Sequence, residues 1–241
     1  MSSHPVQSKA IRTHLLASMK TGEFSACERL PRESVLSESL GISRTQLRDI
    51  LASLEREGFI TRRHGVGTII NRHVLNQENR MDIEVEFLDM IRQSGHAAEV
   101  AFVRVFEGTA DAKISGQLKI PQGTPVIRVA RLCTADGKPA IYCEDVIEKD
   151  LIKGTYTLQD LKLPIFHFLQ QFCNVYPYLD LTDLQPVTAD AHLAEIFQIS
   201  VGAPLLHMDE VDFDIDGKPV FCSSEYFADG IFRHTVMRKK L

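Results

Sequence analysis

The sequence predicts an α+β fold in two parts, a small helical domain closed by a β-hairpin and a larger domain built on one antiparallel sheet with helices. Three observations predict it. A leucine stripe at helical spacing begins at Leu47, a basic and glycine-broken hairpin pattern follows it directly, and the second half of the chain contains an internal repeat.

Leu47, Ile50, Leu51 and Leu54 fall at i, i+3, i+4 and i+7, one apolar face of an α-helix. Ser43 and Gln46 have the spacing of a capping box, so the helix is expected to start at Arg44. Upstream, Pro31 opens a shorter segment with Val35, Leu36 and Leu40 at helical spacing, and Gly41 ends it as a left-handed C-cap. Two helices joined by "GIS" make a helix-turn-helix, whose second helix can enter a major groove with its N-terminal residues at the base edges. Arg44, Thr45 and Arg48 lie off the apolar stripe, and guanidinium and hydroxyl groups there suit phosphates and guanine edges.

Gly58 ends this helix, and "TRRHGVGTII" reads as strand, turn and strand. Such a wing brings Arg62, Arg63 and His64 to the DNA backbone or minor groove, while Gly65 and Gly67 allow close approach. Cap, short turn and basic wing in this order predict a winged helix-turn-helix for double-stranded DNA.

The stretch "LPRESVLSESLGISRTQLRDILASLEREGFITRRHGVGTII" resembles the N-terminal domain of GntR-type bacterial transcription regulators. The resemblance implies DNA contact by Arg44, Arg48 and the wing glycines, with Arg32, Ser43, Thr45, Gln46, Arg62, Arg63 and His64 in the same interface. Two positions depart from the family pattern. The Ser-Glu-Arg triplet is Arg32-Glu33-Ser34 here, and the usual Thr of the recognition helix is Gln46, which either reads an adenine bidentately or stays in its capping box.

Charge separates the two halves. Residues 1–73 carry 11 Lys/Arg against 7 Asp/Glu, whereas residues 74–241 carry 16 against 25, so only the first part suits a polyanion. The polar stretch "NRHVLNQENR", residues 71–80, reads as a linker between a DNA-binding domain at 1–70 and a second domain at 81–241. With 44% apolar residues both can hold a core. The N-terminus lacks a leader's apolar stretch and no run approaches the roughly 18 apolar residues of a membrane span, so a cytoplasmic protein with no membrane partner is expected. Five cysteines without C-x-x-C read as reduced thiols.

The repeat joins "PQGTPVIRVARLCTADGKPAIYC" (121–143) to "SVGAPLLHMDEVDFDIDGKPVFC" (200–222), offset by 79 at Gly123/Gly202 and by 80 at Gly137/Gly217, with one residue gained within the second strand. A helix is predicted before each copy, at 110–119 and 189–198, and each Asp-Gly signals a hairpin. Two helix-strand-turn-strand units most simply share one antiparallel sheet with helices on one side.

A GntR-type winged helix followed by "VIRVARLCTADGKP" and a late "EYFAD" is similar to the HutC subfamily. Its C-terminal effector domain, UTRA, implies a chorismate-lyase-like antiparallel sheet and a homodimer reading an inverted repeat, as a repressor modulated by a small molecule. By that resemblance Arg131 and Tyr226 line the effector pocket, Glu144 lies near the acid position, and Cys133 replaces a second arginine. Repeat symmetry places Arg131 before one turn and Tyr226 after the other, a pocket for an anionic or carboxylate-bearing metabolite. Alternatively Arg131 pairs with Glu144 across adjacent strands. The competing function is a chorismate-lyase-type enzyme tethered to a DNA-binding module.

Other chemistry finds no support in the pattern. The histidines and cysteines lack metal spacing, Asp212, Asp214 and Asp216 read as one solvated strand face, and Ser223 and Ser224 lack a nucleophile elbow. No catalytic residue, metal or cofactor is expected.

Overall fold

The computed structural model describes residues 4–77 and 79–238. The chain forms two compact units that divide between Ile83 and Glu84, and it returns to the first unit at Thr235.

The first unit comprises α1 (His4–Lys20), α2 (Glu33–Ser39), α3 (Arg44–Arg56), β1 (Ile60–Arg63), β2 (Gly67–Ile70) and α4 (Arg72–Leu75). Gly41, at φ +64°, supplies the left-handed residue after α2, and the Ser43 hydroxyl accepts from the Gln46 amide at 3.1 Å to start α3. The Gln46 side chain does not complete the expected box: its amide donates to Ser8 Oγ of α1 at 3.2 Å. Leu47, Ile50, Leu51 and Leu54 are buried against Leu15 and Met19 of α1 and Leu36 of α2.

The expected linker at 71–80 is part of this unit. Val74 and Leu75 of α4 belong to the same core, and the Arg72 guanidinium donates to the carbonyls of Met19, Phe24 and Cys27. Buried Arg80 pairs with Asp82 and donates to the Glu57 carbonyl at 2.7 Å. Arginines that serve buried carbonyls look like linker polarity in the sequence. The C-terminal domain therefore ends before Thr235, which bridges back to Arg80.

The second unit contains α5 (Phe87–Gln93), β3 (Ala98–Thr109), α6 (Ala112–Leu118), β4 (Pro125–Ala135), β5 (Lys138–Glu148), α7 (Ile165–Phe168), β6 (Leu179–Thr188), α8 (Ala191–Phe197), β7 (Pro204–Phe213) and β8 (Pro219–Ala228). The strands form one antiparallel sheet in the order β3-β4-β5-β8-β7-β6. The repeat is visible throughout. Asp111 and Asp190 cap α6 and α8 through the Ile114 and Leu193 amides at 2.9 and 2.8 Å, and Lys119 and Gln198 end them in the left-handed region. The halves meet at β5 and β8, where Tyr142 pairs with Tyr226. The extra residue of the second copy lies in its turn: Thr134 pairs with Pro139 around residues 135–138, whereas Phe213 pairs with Pro219 around residues 214–218.

Helices cover both faces of the sheet rather than the expected one. α6 and α8 pack on one face, Ile114 and Leu118 against Val126 and Val146, Leu193 and Phe197 against Leu132 and Tyr142. On the other, Phe168 and Leu169 lie with Val129, Ile147 and Phe221, and the Phe87 ring meets Phe227 at 6.1 Å. β4 is accordingly buried on both sides along nearly its whole length, as a strand between two layers must be.

Candidate nucleic-acid interface and effector face

The N-terminal turn of α3 projects exposed Arg44, Thr45 and Arg48, because the buried stripe turns the opposite side of the helix outward. Arg48 also bonds Glu33 of α2 at 2.7 Å, so phosphate would compete there with a carboxylate. The wing turns through Gly65 and Gly67, at φ +74° and +103°, and exposes Arg63 and His64. Arg62 is held at the base of the wing, its Nε 2.8 Å and its amide 2.7 Å from the Glu55 carboxylate. Between wing and α2 lies a groove of about 650 Å³ with Arg32 and Arg29 on one side and Arg62, Arg63 and His64 on the other. Arg29, which sequence reasoning missed, bridges to Ile69 and donates to the Val66 carbonyl at 3.2 Å. It extends the hairpin by a third short segment. Cationic, donor-rich and concave, this surface suits a phosphate backbone beside a groove-reading helix.

In the second unit the pleat separates the four expected effector residues. Arg131 and Cys133 alternate onto the α5/α7 face, whereas Glu144 and Tyr226 point to the α6/α8 face. A single ligand on the sheet therefore does not touch both Arg131 and Tyr226. The Tyr226 ring stacks on His207 at 4.6 Å and on Tyr142 at 6.3 Å, while the Tyr142 hydroxyl donates to Glu144 at 2.6 Å. His207 Nε2 lies 2.8 Å from Ser224 Oγ, but no carboxylate hydrogen-bonds its other ring nitrogen among the described residues. Serine and histidine alone do not make an oriented triad.

Arg131 does not pair with Glu144. Its Nη2 bonds Asp145 at 2.7 Å, with both side chains almost wholly buried (4% and 2% exposed), because positions 131 and 145 share a sheet face and 144 does not. Its Nε is buried without a hydrogen-bond partner, and Phe87 covers the guanidinium at 5.9 Å. Around this pair the α5/α7 face is acidic. Ser223 Oγ donates to buried Glu225 at 2.9 Å, and Thr182 Oγ1 lies 2.8 Å from both Asp180 and Glu210. Asp212, expected in solvent with Asp214 and Asp216, is 0% exposed. Strand β7 ends at Phe213, so Asp214 instead accepts from the Asp216 and Lys218 amides in the turn.

Burial and mutual repulsion push these carboxyls up. Desolvation dominates at each, reinforced by neighbouring acids: Glu84 rises to about 8, Glu210 to about 7 and Asp212 to about 9, and Glu225 is also raised. Glu86 rises to about 7 through desolvation, opposed by Arg131. All four cysteines of this unit are buried and every described cysteine is a free thiol.

A model of the UTRA domain matches residues 93–233, more than half of the chain, and a model of bacterial regulatory proteins of the gntR family matches residues 7–70. The chain is a GntR-family regulator with a UTRA domain. It is 24% identical over 206 residues to the uncharacterised HTH-type transcriptional regulator YurK of Bacillus subtilis, covering 85% of this chain and 84% of that one. A probable fructoselysine utilization operon transcriptional repressor of Escherichia coli is 22% identical over 229 residues, covering 92% and 90%. The crystal structure of the possible transcriptional regulator YydK from B. subtilis superposes with a TM-score of 0.76 at 16% identity, covering 97% and 99% of the chains, which shows the shared fold.

In this GntR-family regulator the UTRA match spans the six-stranded sheet but begins after Glu84, Glu86 and Phe87, the segment that reaches the α5/α7 face. Sequence reasoning missed Asp145, Glu210, Asp212 and Glu225 as one group because they lie on three strands. The signal available was the repeat itself, which sets Glu210 at the position of Arg131 and Glu225 at that of Asp145. No helix of the described residues is long and apolar enough to cross a membrane.

Proposed function

We propose that this regulator acts in the cytoplasm as a homodimeric repressor that reads an inverted-repeat operator and answers to a small molecule held by its C-terminal unit. The observation that carries the DNA reading is the exposed Arg44 and Thr45 at the start of α3 beside the arginine-walled wing groove. Replacing Arg44 by Ala should weaken operator binding by about 1–3 kcal/mol with unchanged melting, since Arg44 lies off the buried stripe. Gel-shift titration against the cognate promoter measures this; full affinity in the variant would remove α3 from the base-reading role.

The effector is assigned to the α5/α7 face, where the Arg131 Nε offers a buried donor without a partner. An effector oxygen, from a carboxylate or phosphate, satisfies it. Glu144 and Tyr226 take no part in that contact, because they lie on the other face.

For the dimer, the support is β6, an edge strand carrying exposed Leu179, Leu181 and Leu184. An edge of this kind pairs with another chain unless it is blocked. Two copies joined there give the two recognition helices that an inverted repeat demands. Leu181→Glu should shift the protein from dimer to monomer at micromolar concentration in light scattering, whereas an unchanged mass would move the interface away from β6.

A further inference from the structure

The two halves of the sheet are equivalent position by position on the α5/α7 face. Arg131 pairs across its hairpin with Cys143, and Glu210 occupies the same place opposite Ser223; Asp145 of the first half corresponds to Glu225 of the second, and Cys133 to Asp212. In the first half the buried acid meets a cation, Arg131, at 2.7 Å. In the second half both positions are acids, and Asp212 adds a third.

Two further observations point to a ligand. Asp212 is wholly buried, and neither of its carboxylate oxygens has a hydrogen-bond donor. Glu84, from the segment preceding α5, brings its carboxylate to the same place, so that one oxygen each of Glu84, Glu210 and Asp212 lies within 4.8 Å of the others. Three carboxylates at this separation cannot all be ionised without a cation among them, so the ion-free cluster must hold protons that a bound ion would displace.

We propose that Glu84, Glu210 and Asp212 bind a hard divalent cation, which does for the second half of the sheet what Arg131 does for the first. The donor set is all carboxylate oxygen, the chemistry of Ca²⁺, Mg²⁺ or Mn²⁺ rather than of the softer metals that favour thiolate or imidazole. Glu210 and Asp212 stand two residues apart on β7 and so present their carboxylates side by side. Glu84 reaches solvent as a residue while its carboxyl is packed among the neighbouring acids, which gives the ion an entry path from one side and room for water ligands. A bound ion also fastens the segment carrying Glu86 and Phe87 to β7, and Phe87 is the ring that covers Arg131.

The test uses the full-length protein, treated with EDTA and then exchanged into chelator-free buffer. Addition of MnCl₂ or CaCl₂ should give saturable binding of one ion per chain by calorimetry and, at 100 times the dissociation constant, an upward melting shift of about 5–10 °C. Asp212→Asn and Glu210→Gln should each abolish the binding and the shift. Both put a neutral amide of the same shape where the ion-free protein holds a crowded, proton-bearing carboxyl, so without added ion they should melt close to the wild-type temperature, which separates loss of binding from loss of folding. Asp209→Asn, on the opposite sheet face, should bind as the wild type does. Absence of saturable binding to the wild type overturns the proposal, as does a one-ion isotherm retained in both the Asp212→Asn and the Glu210→Gln proteins.

Discussion

Arg131→Ala should destabilise the C-terminal unit by about 3–5 kcal/mol, because it leaves Asp145 buried with no counter-charge. For a chain of this size that corresponds to a melting shift of roughly 6–20 °C. The deficit should also depend on pH. Burial raises the Asp145 carboxyl and Arg131 opposes that rise, so without the arginine the folded state holds a proton that the unfolded chain releases. A folded pKa above the unfolded one means that stability is fully present below the unfolded value and falls as pH rises through the folded value. The variant should therefore lose more, relative to wild type, at pH 8 than at pH 5.5. The double variant Arg131→Met with Asp145→Leu should recover most of the loss, since an apolar pair of similar volume replaces a buried ion pair at little expense. Urea titrations of the three proteins at both pH values decide the matter. Wild-type stability in Arg131→Ala at pH 8 would show that Asp145 does not depend on this arginine.

Leu47→Ala should remove about 2–5 kcal/mol from the DNA-binding unit. Leu47 is 0% exposed and packs with Leu15, Met19 and Leu54 in the core that seats α3. Total stabilities of such units are of the order of 5–15 kcal/mol, so the loss is a large share of the whole. Operator binding should fall in parallel, because Arg44 and Thr45 are presented only while α3 is seated. The contrast with Arg44→Ala is the informative part: one variant melts early and binds poorly, the other melts normally and binds poorly. Circular dichroism melts beside gel shifts separate them, and a Leu47→Ala protein with wild-type melting would contradict this seating of α3.

The first unit was largely legible in the sequence because its signals are local. Helical spacing placed Leu47, Ile50, Leu51 and Leu54 inside and thereby Arg44, Thr45 and Arg48 outside, and Ser43 caps its helix through a residue three positions away. The wing is a hairpin whose glycines declare the turn. What misled was polarity with a distant purpose: Arg72 and Arg80 look like linker residues until the carbonyls of Met19, Phe24, Cys27 and Glu57 are folded against them. Gln46 likewise left its capping box for Ser8, a partner 38 residues away.

The sequence by itself determined the winged helix, the twofold repeat and the antiparallel hairpins, since each depends on contacts between near neighbours or on a pattern that recurs along the chain. Only the tertiary structure decided which side chains share a face of the sheet. A shift of one position along a strand moves a side chain to the opposite face, so Arg131 meets Asp145 and not Glu144, and Tyr226 stacks on His207 away from both. The burial of Asp212 beside Glu210 and Glu84 was equally out of reach, because alternating acids read as a wet strand face until helices cover both sides of the sheet.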